Sequence, residues 1–310
     1  MKERVVVILG PTATGKSNCA IEVARRLNGE IISGDSSLVY QKMNIGTAKP
    51  SKEELALVPH HLVDILPPEA SFNVVDFVTQ AKKLITEINA RGHLPIIAGG
   101  TGLYIKALLE GYEFSSVDED TELRKRLEDE ARQSGPVALY EKLQQIDSDA
   151  AKIIHPNNVR RVIRALEIAM SGSHVSQAGT RDASIYDATV FGLRMDRDFL
   201  YARINKRVDM MLDAGLEDEV RSLLDAGLSE DAQSMQAIGY RQMVWYLRHG
   251  MDRELAIEKI KQATRNFAKR QLTWYKKMPY VHWFDVDETL NYSAIVQNMV
   301  EILEEKRQML

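Results

Sequence analysis

The chain has 310 residues, 45% of them hydrophobic and 27% charged, the composition of a soluble globular protein with a sizeable core and room for about two domains. Its net charge of −4 carries no global signal for nucleic acid or acidic membranes, so any polyanion site must be a local basic patch. The single cysteine, Cys19, excludes an intrachain disulfide and a cysteine-rich zinc site, and it suits a reducing compartment.

The chain opens on Val5–Leu9, five apolar, mostly β-branched residues, which predict a buried parallel strand. The run is too short for a signal peptide, and no run reaches the ~18–20 apolar residues of a transmembrane helix. A cytoplasmic protein is expected. Gly10, Pro11, Thr12, Ala13, Thr14, Gly15, Lys16 and Ser17 follow and fit G-x-x-x-x-G-K-[ST], the phosphate-binding loop. Backbone N–H groups of such a loop and of the next helix favour phosphate oxygens before any side chain helps. Lys16 adds a point charge, and the Ser17 hydroxyl is a candidate Mg²⁺ ligand. Helix is expected at Lys16–Leu27, where Cys19 reads as a small core residue.

Glu30–Ser33 reads as a second strand running into Asp35-Ser36. His60-His61 would point to opposite faces of a strand, which argues against a shared metal. A long amphipathic helix is expected at Val74–Ala90, then a buried strand at Leu94–Ala98 ending in Gly99-Gly100-Thr101-Gly102, and helix at Leu103–Leu109. This alternation predicts an α/β fold, a P-loop NTPase-like parallel sheet flanked by helices. Ligands of such sheets bind beyond the strands' carboxyl ends, which puts Gly10–Ser17, Asp35 and Thr101 on one edge. The loop commonly serves ATP or GTP, whose Mg²⁺ is held by an acid after a later strand. Here Leu94–Ala98 ends in glycines and a threonine with no acid. Asp35 is the one well-placed carboxylate, and it reads equally as a base facing a phosphate site or as a cap or turn residue. Thr101 likewise reads as a site residue or as part of a glycine-rich strand end.

Residues 115–183 read as helices alone (Glu122–Arg132, Val137–Gln145 and Asn158–Ser171), an inserted all-helical subdomain in a core of 1–114 and 184–310. A strand is expected at Ala188–Met195, then helices at Phe199–Ala214, Glu217–Ala226, Tyr240–His249 and Asp252–Lys276, a strand at Val281–Phe284 and a terminal helix. Within Lys261–Met278 the cations Lys261, Arg265, Lys269, Arg270, Lys276 and Lys277 stand without an acid, interleaved with Phe267, Trp274 and Tyr275. Lys261, Arg265 and Lys269 share one helix face. Phosphate neutralisation with aromatic surfaces is the chemistry of RNA-loop binding, and a solvated cationic face is the plainer alternative. Arg160, Arg161 and Arg164 form a second basic cluster.

GPTATGKS at 10–17, DSSLVYQKMNIGTAKP at 35–50, PHHLVDI at 59–65, GGTGLYIKALLEG at 99–111, RALE at 164–167 and ATRNFAKRQLTW at 263–274 together resemble the tRNA dimethylallyltransferase family, in family order across the chain. Thr14, where the family often has serine, and Ser37-Leu38, in a variable segment, are mild departures. The resemblance implies transfer of a dimethylallyl group from dimethylallyl diphosphate to N6 of adenosine 37 in the anticodon loop of tRNA, with release of diphosphate and help from Mg²⁺. It implies catalytic roles for Asp35 (base), Thr101, Lys16 and Arg207, with the loop and Arg203 on the diphosphate. It implies RNA contacts at Asp35, Ser36, Ser37, Leu38 and Thr101, at Arg124, in the segment Arg160, Arg161, Val162, Ile163 and Arg164, and at Lys269, Arg270 and Trp274. A monomer is the default expectation. Two other readings stay open on the residues alone: a small-molecule P-loop kinase with Asp35 as base, and a non-catalytic RNA-binding module.

Overall fold

A computed structural model describes residues 2–112, 114, 120–173 and 185–308. By internal contacts the chain divides into unit 1, Met1–Glu110 with Ala183–Leu310, and unit 2, Gly111–Asp182. The strands are β1 (Arg4–Leu9), β2 (Gly29–Ser33), β3 (His60–His61), β4 (Leu94–Gly99), β5 (Asp187–Met195) and β6 (Val281–Val286). The helices are α1 (Lys16–Leu27), α2 (Lys52–Leu57), α3 (Val74–Ala90), α4 (Gly102–Leu109), α5 (Thr121–Ile146), α6 (Ser148–Ile153), α7 (Val159–Met170), α8 (Arg197–Asp213), α9 (Leu216–Asp225), α10 (Tyr240–His249), α11 (Arg253–Tyr275) and α12 (Tyr292–Gln308).

In unit 1 all six strands form one sheet in the order β3-β2-β4-β1-β5-β6, and every neighbouring pair is parallel. β1 lies inside it, with Val6 opposite Ile96 on one side and Thr189 on the other. Val5–Leu9 are buried on both faces, which is why that strand reads as a continuous apolar run instead of an alternation. Helix α1 sets Cys19, Ala20, Val23 and Ala24 into the same core and stops at Asn28, whose left-handed backbone donates its N–H to the Ala24 carbonyl. Burial pushes the Cys19 thiol up to about 12, which leaves it an inert core residue.

At the amino-terminal end of β2, Glu30 is buried and accepts hydrogen bonds from Arg91, His61 and His93 at 2.7–3.2 Å. His60 turns instead to the Val58 carbonyl at 2.8 Å. The histidine pair is therefore structural, its two rings serving different partners. At the carboxyl end, Gly34 and Gly99 approach so closely that a Cβ on Gly99 would sit 2.3 Å from the Gly34 backbone. That contact draws the ends of β2 and β4 together. Among the described residues no helix is long and apolar enough to cross a membrane.

Unit 2 is helical throughout its described elements. α5 breaks at Gly135, whose φ of 85° precedes Pro136, because the proline ring and missing N–H interrupt the helical ladder. Leu127, Leu139, Leu143, Val162, Ile163 and Leu166 form its core. This corrects the expectation for Val162 and Ile163. Both side chains are buried on the apolar face of α7, so only their neighbours face solvent.

Candidate active site

The phosphate loop is built by local backbone chemistry. Ala13 and Gly15 take left-handed conformations, φ 67° and 86°, which curl the chain between β1 and α1. Thr14 is buried and its hydroxyl donates to the Pro11 carbonyl at 2.8 Å, so the hydroxyl braces the turn from within. Gly15 caps α1 without a side-chain acceptor, and no acid lies in the first turn. The first N–H groups of α1 are therefore open to an anion, with the positive end of the helix dipole behind them. The Thr12 N–H is spent elsewhere, donated to Gln271 at 3.0 Å.

A cleft of about 480 Å³ opens on this loop, lined by Lys16, Ser17, Arg203, Lys206, Arg207 and Tyr292 among others. Arg203 and Arg207 lie one turn apart on α8. Arg203 donates its Nε–H to the Ala13 carbonyl at 2.9 Å and lies over the Phe199 ring, bracing the loop from outside. Burial pushes the Lys16 ammonium down to about 8; the Asp35 carboxylate opposes this and Arg207 reinforces it. Burial likewise lowers the Arg207 guanidinium, against the pull of Asp35 and with the push of Arg203. Asp35 thus acts electrically on both cations, and an incoming polyanion would relieve the repulsion between them.

The ends of β2 and β4 meet beside the loop. Thr101 donates its N–H to the Gly34 carbonyl at 3.1 Å, and its hydroxyl accepts the Ser36 N–H at 3.2 Å. Asp35 accepts the Ser37 N–H at 2.9 Å through Oδ1. Asp35 therefore closes a turn and also lines a cleft, so its turn geometry leaves the carboxylate on a cavity wall. That second cleft, about 350 Å³, is lined by Thr12, Asp35, Ser36, Ser37, Arg207 and Arg270 among others, while half-buried Leu38 lies outside its lining. Ala48 and Arg207 belong to both clefts.

The basic helix α11 is only partly the cationic stripe its spacing suggested. Lys261 pairs with Asp209 at 2.8 Å and Arg265 donates to Asn205 at 2.6 Å, so both are turned onto α8. Lys269 and Arg270 remain exposed, Arg270 lying over Phe267, and Trp274 is 40% exposed beside Gly102. In unit 2, Arg160 and Arg161 are exposed, while Arg124 and half-buried Arg164 both pair with the buried carboxylate of Glu167.

Several residues at the site were not among the candidate site residues read from the sequence. Gln271 is buried in α11, accepting from Thr12 and donating to the Gly100 carbonyl at 2.8 Å, while Tyr275 donates to the same carbonyl at 2.8 Å. Tyr292 packs on Gly15, where an added Cβ would meet its ring at 2.4 Å. Glu219 accepts three backbone N–H groups, from Asn44, Ile45 and Gly46, and the Tyr240 hydroxyl at 2.5 Å.

Comparison with known proteins adds the family. Residues 38–278 match the family model described as IPP transferase, and residues 3–67 match the one described as isopentenyl transferase. The tRNA dimethylallyltransferase of Thermoanaerobacter sp. (strain X514) is 45% identical over 309 residues, 98% of each chain. That of Oceanobacillus iheyensis is 46% identical over 315 residues, 99% of each. The crystal structure of the full-length tRNA isopentenylpyrophosphate transferase of Bacillus halodurans superposes with a TM-score of 0.74 at 46% identity, covering 99% of both chains. A eukaryotic dimethylallyltransferase captured acting on tRNA gives a TM-score of 0.78 at 28% identity, covering 94% of this chain and 75% of the other. The chain belongs to the IPP transferase family, among the tRNA dimethylallyltransferases.

Proposed function

We propose that this chain transfers the dimethylallyl group of dimethylallyl diphosphate to N6 of adenosine 37 in the anticodon loop of tRNA and releases diphosphate. The observation that carries this reading is the pair of clefts sharing Arg207 and Ala48, one walled by the phosphate loop and the other by Asp35. A donor bound by its diphosphate in the first has its allylic carbon directed toward an acceptor in the second. Each cleft is built from unit 1 of one chain, so a monomer suffices.

In the reaction the N6–C1 bond forms as the C1–O bond breaks, and the bonding electron pair leaves with the diphosphate. Adenine's exocyclic lone pair is delocalised, so N6 becomes a useful nucleophile only as its proton is removed in the transition state. Asp35 accepts that proton, and Thr101 keeps the Asp35 turn in place through Ser36. Lys16, Arg207 and the open N–H groups of α1 stabilise the charge that develops on the leaving oxygen. The acceptor base leaves its stack to enter the cleft, at a cost of a few kcal/mol that is smaller in a loop. Exposed Lys269, Arg270, Arg160 and Arg161 supply cations for the RNA backbone.

Among the described residues no three histidine, cysteine or acidic side chains gather around a metal position. The exposed Ser17 hydroxyl suits Mg²⁺ that arrives already bound by diphosphate and keeps several waters. Ser17 would hold the ion, which supplies charge neutralisation on the leaving group.

The test is incubation with unmodified tRNA and labelled dimethylallyl diphosphate. Label in the RNA at adenosine 37, with diphosphate released and no nucleotide consumed, is the expected result. Unlabelled RNA together with ATP-dependent phosphorylation of a metabolite would replace this reading with a P-loop kinase.

A further inference from the structure

Tyr292 opens α12 and lines the phosphate-loop cleft, although it lies far along the chain from the loop itself. The hydroxyl end of its ring is the part that meets the loop. A Cβ on Gly15 would lie 2.4 Å from Cε1 and Cζ and 2.5 Å from the hydroxyl oxygen, so glycine alone permits this approach. That oxygen is buried, and among the described residues it has no hydrogen-bond partner. Burial pushes the phenol up, against the pull of the Arg203 guanidinium, so at neutral pH the group keeps its proton and is a donor.

Packing holds the phenol where it is. Ile295, Val296 and Met299 of α12 enter the core that contains Cys19 and Ile21 of α1, which fixes the start of one helix against the start of the other. The unpaired hydroxyl therefore stands beside the N–H groups that Gly15 leaves without a side-chain cap. A buried donor with no acceptor destabilises the free protein. The same cleft gathers Lys16, Arg203, Lys206 and Arg207, so the acceptor this donor lacks is an oxygen of an anion. Resting on the reading of this cleft as the donor site, we infer that Tyr292 donates its hydroxyl hydrogen bond to a phosphate oxygen of the diphosphate seated on the loop. The phenol adds a neutral donor to a seat otherwise made of cations and backbone N–H groups. Its place away from bulk water makes one charge-assisted bond there a strong one. The contact reads the diphosphate and not the carbon chain, so free diphosphate feels it as the allylic donor does.

Calorimetric titration of inorganic diphosphate with Mg²⁺ into the wild-type protein and Tyr292→Phe tests this, beside chemical denaturation of both without ligand. Phenylalanine keeps the ring on Gly15 and deletes only the hydroxyl. The Kd for diphosphate is expected to rise about tenfold, because a hydrogen bond to a charged acceptor is lost. The ligand-free variant is expected to be as stable as wild type or more so, since an unpaired buried group has been removed. Affinity falling without a fall in stability is the distinguishing result, because a hydroxyl that merely braced the loop would lower both. A wild-type Kd in Tyr292→Phe overturns the inference, and so does a weaker Kd accompanied by a lower denaturation midpoint. Failure of the wild-type protein to bind diphosphate overturns the donor-site reading itself, and the inference with it.

Discussion

Gln271 holds the phosphate loop by accepting the Thr12 N–H at 3.0 Å, across 259 residues of chain. The same amide donates to the Gly100 carbonyl, so one buried neutral side chain ties the ends of β1 and β4 to α11. A Cβ on Gly100 would lie 2.3 Å from its Nε2, so the joint leaves no slack.

Gln271→Ala is expected to leave a backbone donor and acceptor unpaired in a buried place and to cost about 3 kcal/mol of stability, measured by chemical denaturation. Gln271→Glu keeps an acceptor for Thr12 but sets a carboxylate against a carbonyl, so it should recover little. Wild-type denaturation midpoints in both variants would show that water replaces the amide.

Asp35→Asn preserves the Oδ1 acceptor that closes the turn on Ser37 and removes only the basic charge. Turnover at saturating substrates should fall by about 10² to 10⁴ while RNA affinity changes little. Single-turnover kinetics beside a binding titration separates the two. Comparable turnover in the variant would assign Asp35 to the turn alone.

Lys16 is lowered from 10.5 to about 8 by burial, so in the free protein it loses its proton as pH rises through about 8. A bound diphosphate favours the charged form, and binding between about pH 8 and 9 should take up protons. Calorimetry in buffers of different ionisation enthalpy reads this uptake. The difference from Lys16→Met removes the ligand's own titration. A lysine lowered in the fold means that the unfolded chain binds more protons between about 8 and 10.5, so this group's contribution to stability rises with pH across that window.

Glu30 works in the opposite sense. Burial alone would raise its carboxyl, but hydrogen bonds from Arg91, His61 and His93 outweigh burial and hold it at about 2. Its contribution is fully present above about pH 4.5 and is lost as pH falls toward 2, on the order of 2 kcal/mol. Glu30→Gln should lower the melting temperature at neutral pH and flatten the acid limb of stability. Parallel pH curves for variant and wild type would count against this cluster as an acid-sensitive pin.

The features legible in the sequence are those set by neighbours along the chain. The continuous apolar run Val5–Leu9, the loop glycines and the spacing of Val74–Ala90 each follow from backbone rules, and α1, α3 and α10 begin and end where periodicity and caps put them. The two-residue strand β3 lies below any periodic signal, and α2 buries no residue at all, so no apolar face announced it. The charge stripe of α11 was misleading for a tertiary reason. Its first two members found Asp209 and Asn205 on α8, partners invisible in a reading of one helix. Gln271 had no signal, since a neutral residue in a basic run looks like a spacer until the carbonyl and N–H it serves arrive from β4 and the loop.

Glu219 provides a last test, because it acts on the site through the loop that walls it. Its carboxylate collects the N–H groups of Asn44, Ile45 and Gly46 and the Tyr240 hydroxyl, while a Cβ on Gly46 would meet the Tyr240 ring at 2.4 Å. Gly46, Thr47 and Ala48 line the acceptor cleft, and Ala48 lines the donor cleft as well. Glu219→Ala frees three backbone donors at once, and the loop should then sample other positions. The expected result is a KM raised about tenfold for both substrates, with loop amides exchanging faster by hydrogen–deuterium exchange. Tyr240→Phe removes one bond and keeps the ring against Gly46, so it should show a smaller shift in the same direction. Exchange at residues 43–49 equal to wild type in Glu219→Ala would show that the loop is held by packing on Tyr240, and the carboxylate would then be a passenger on α9.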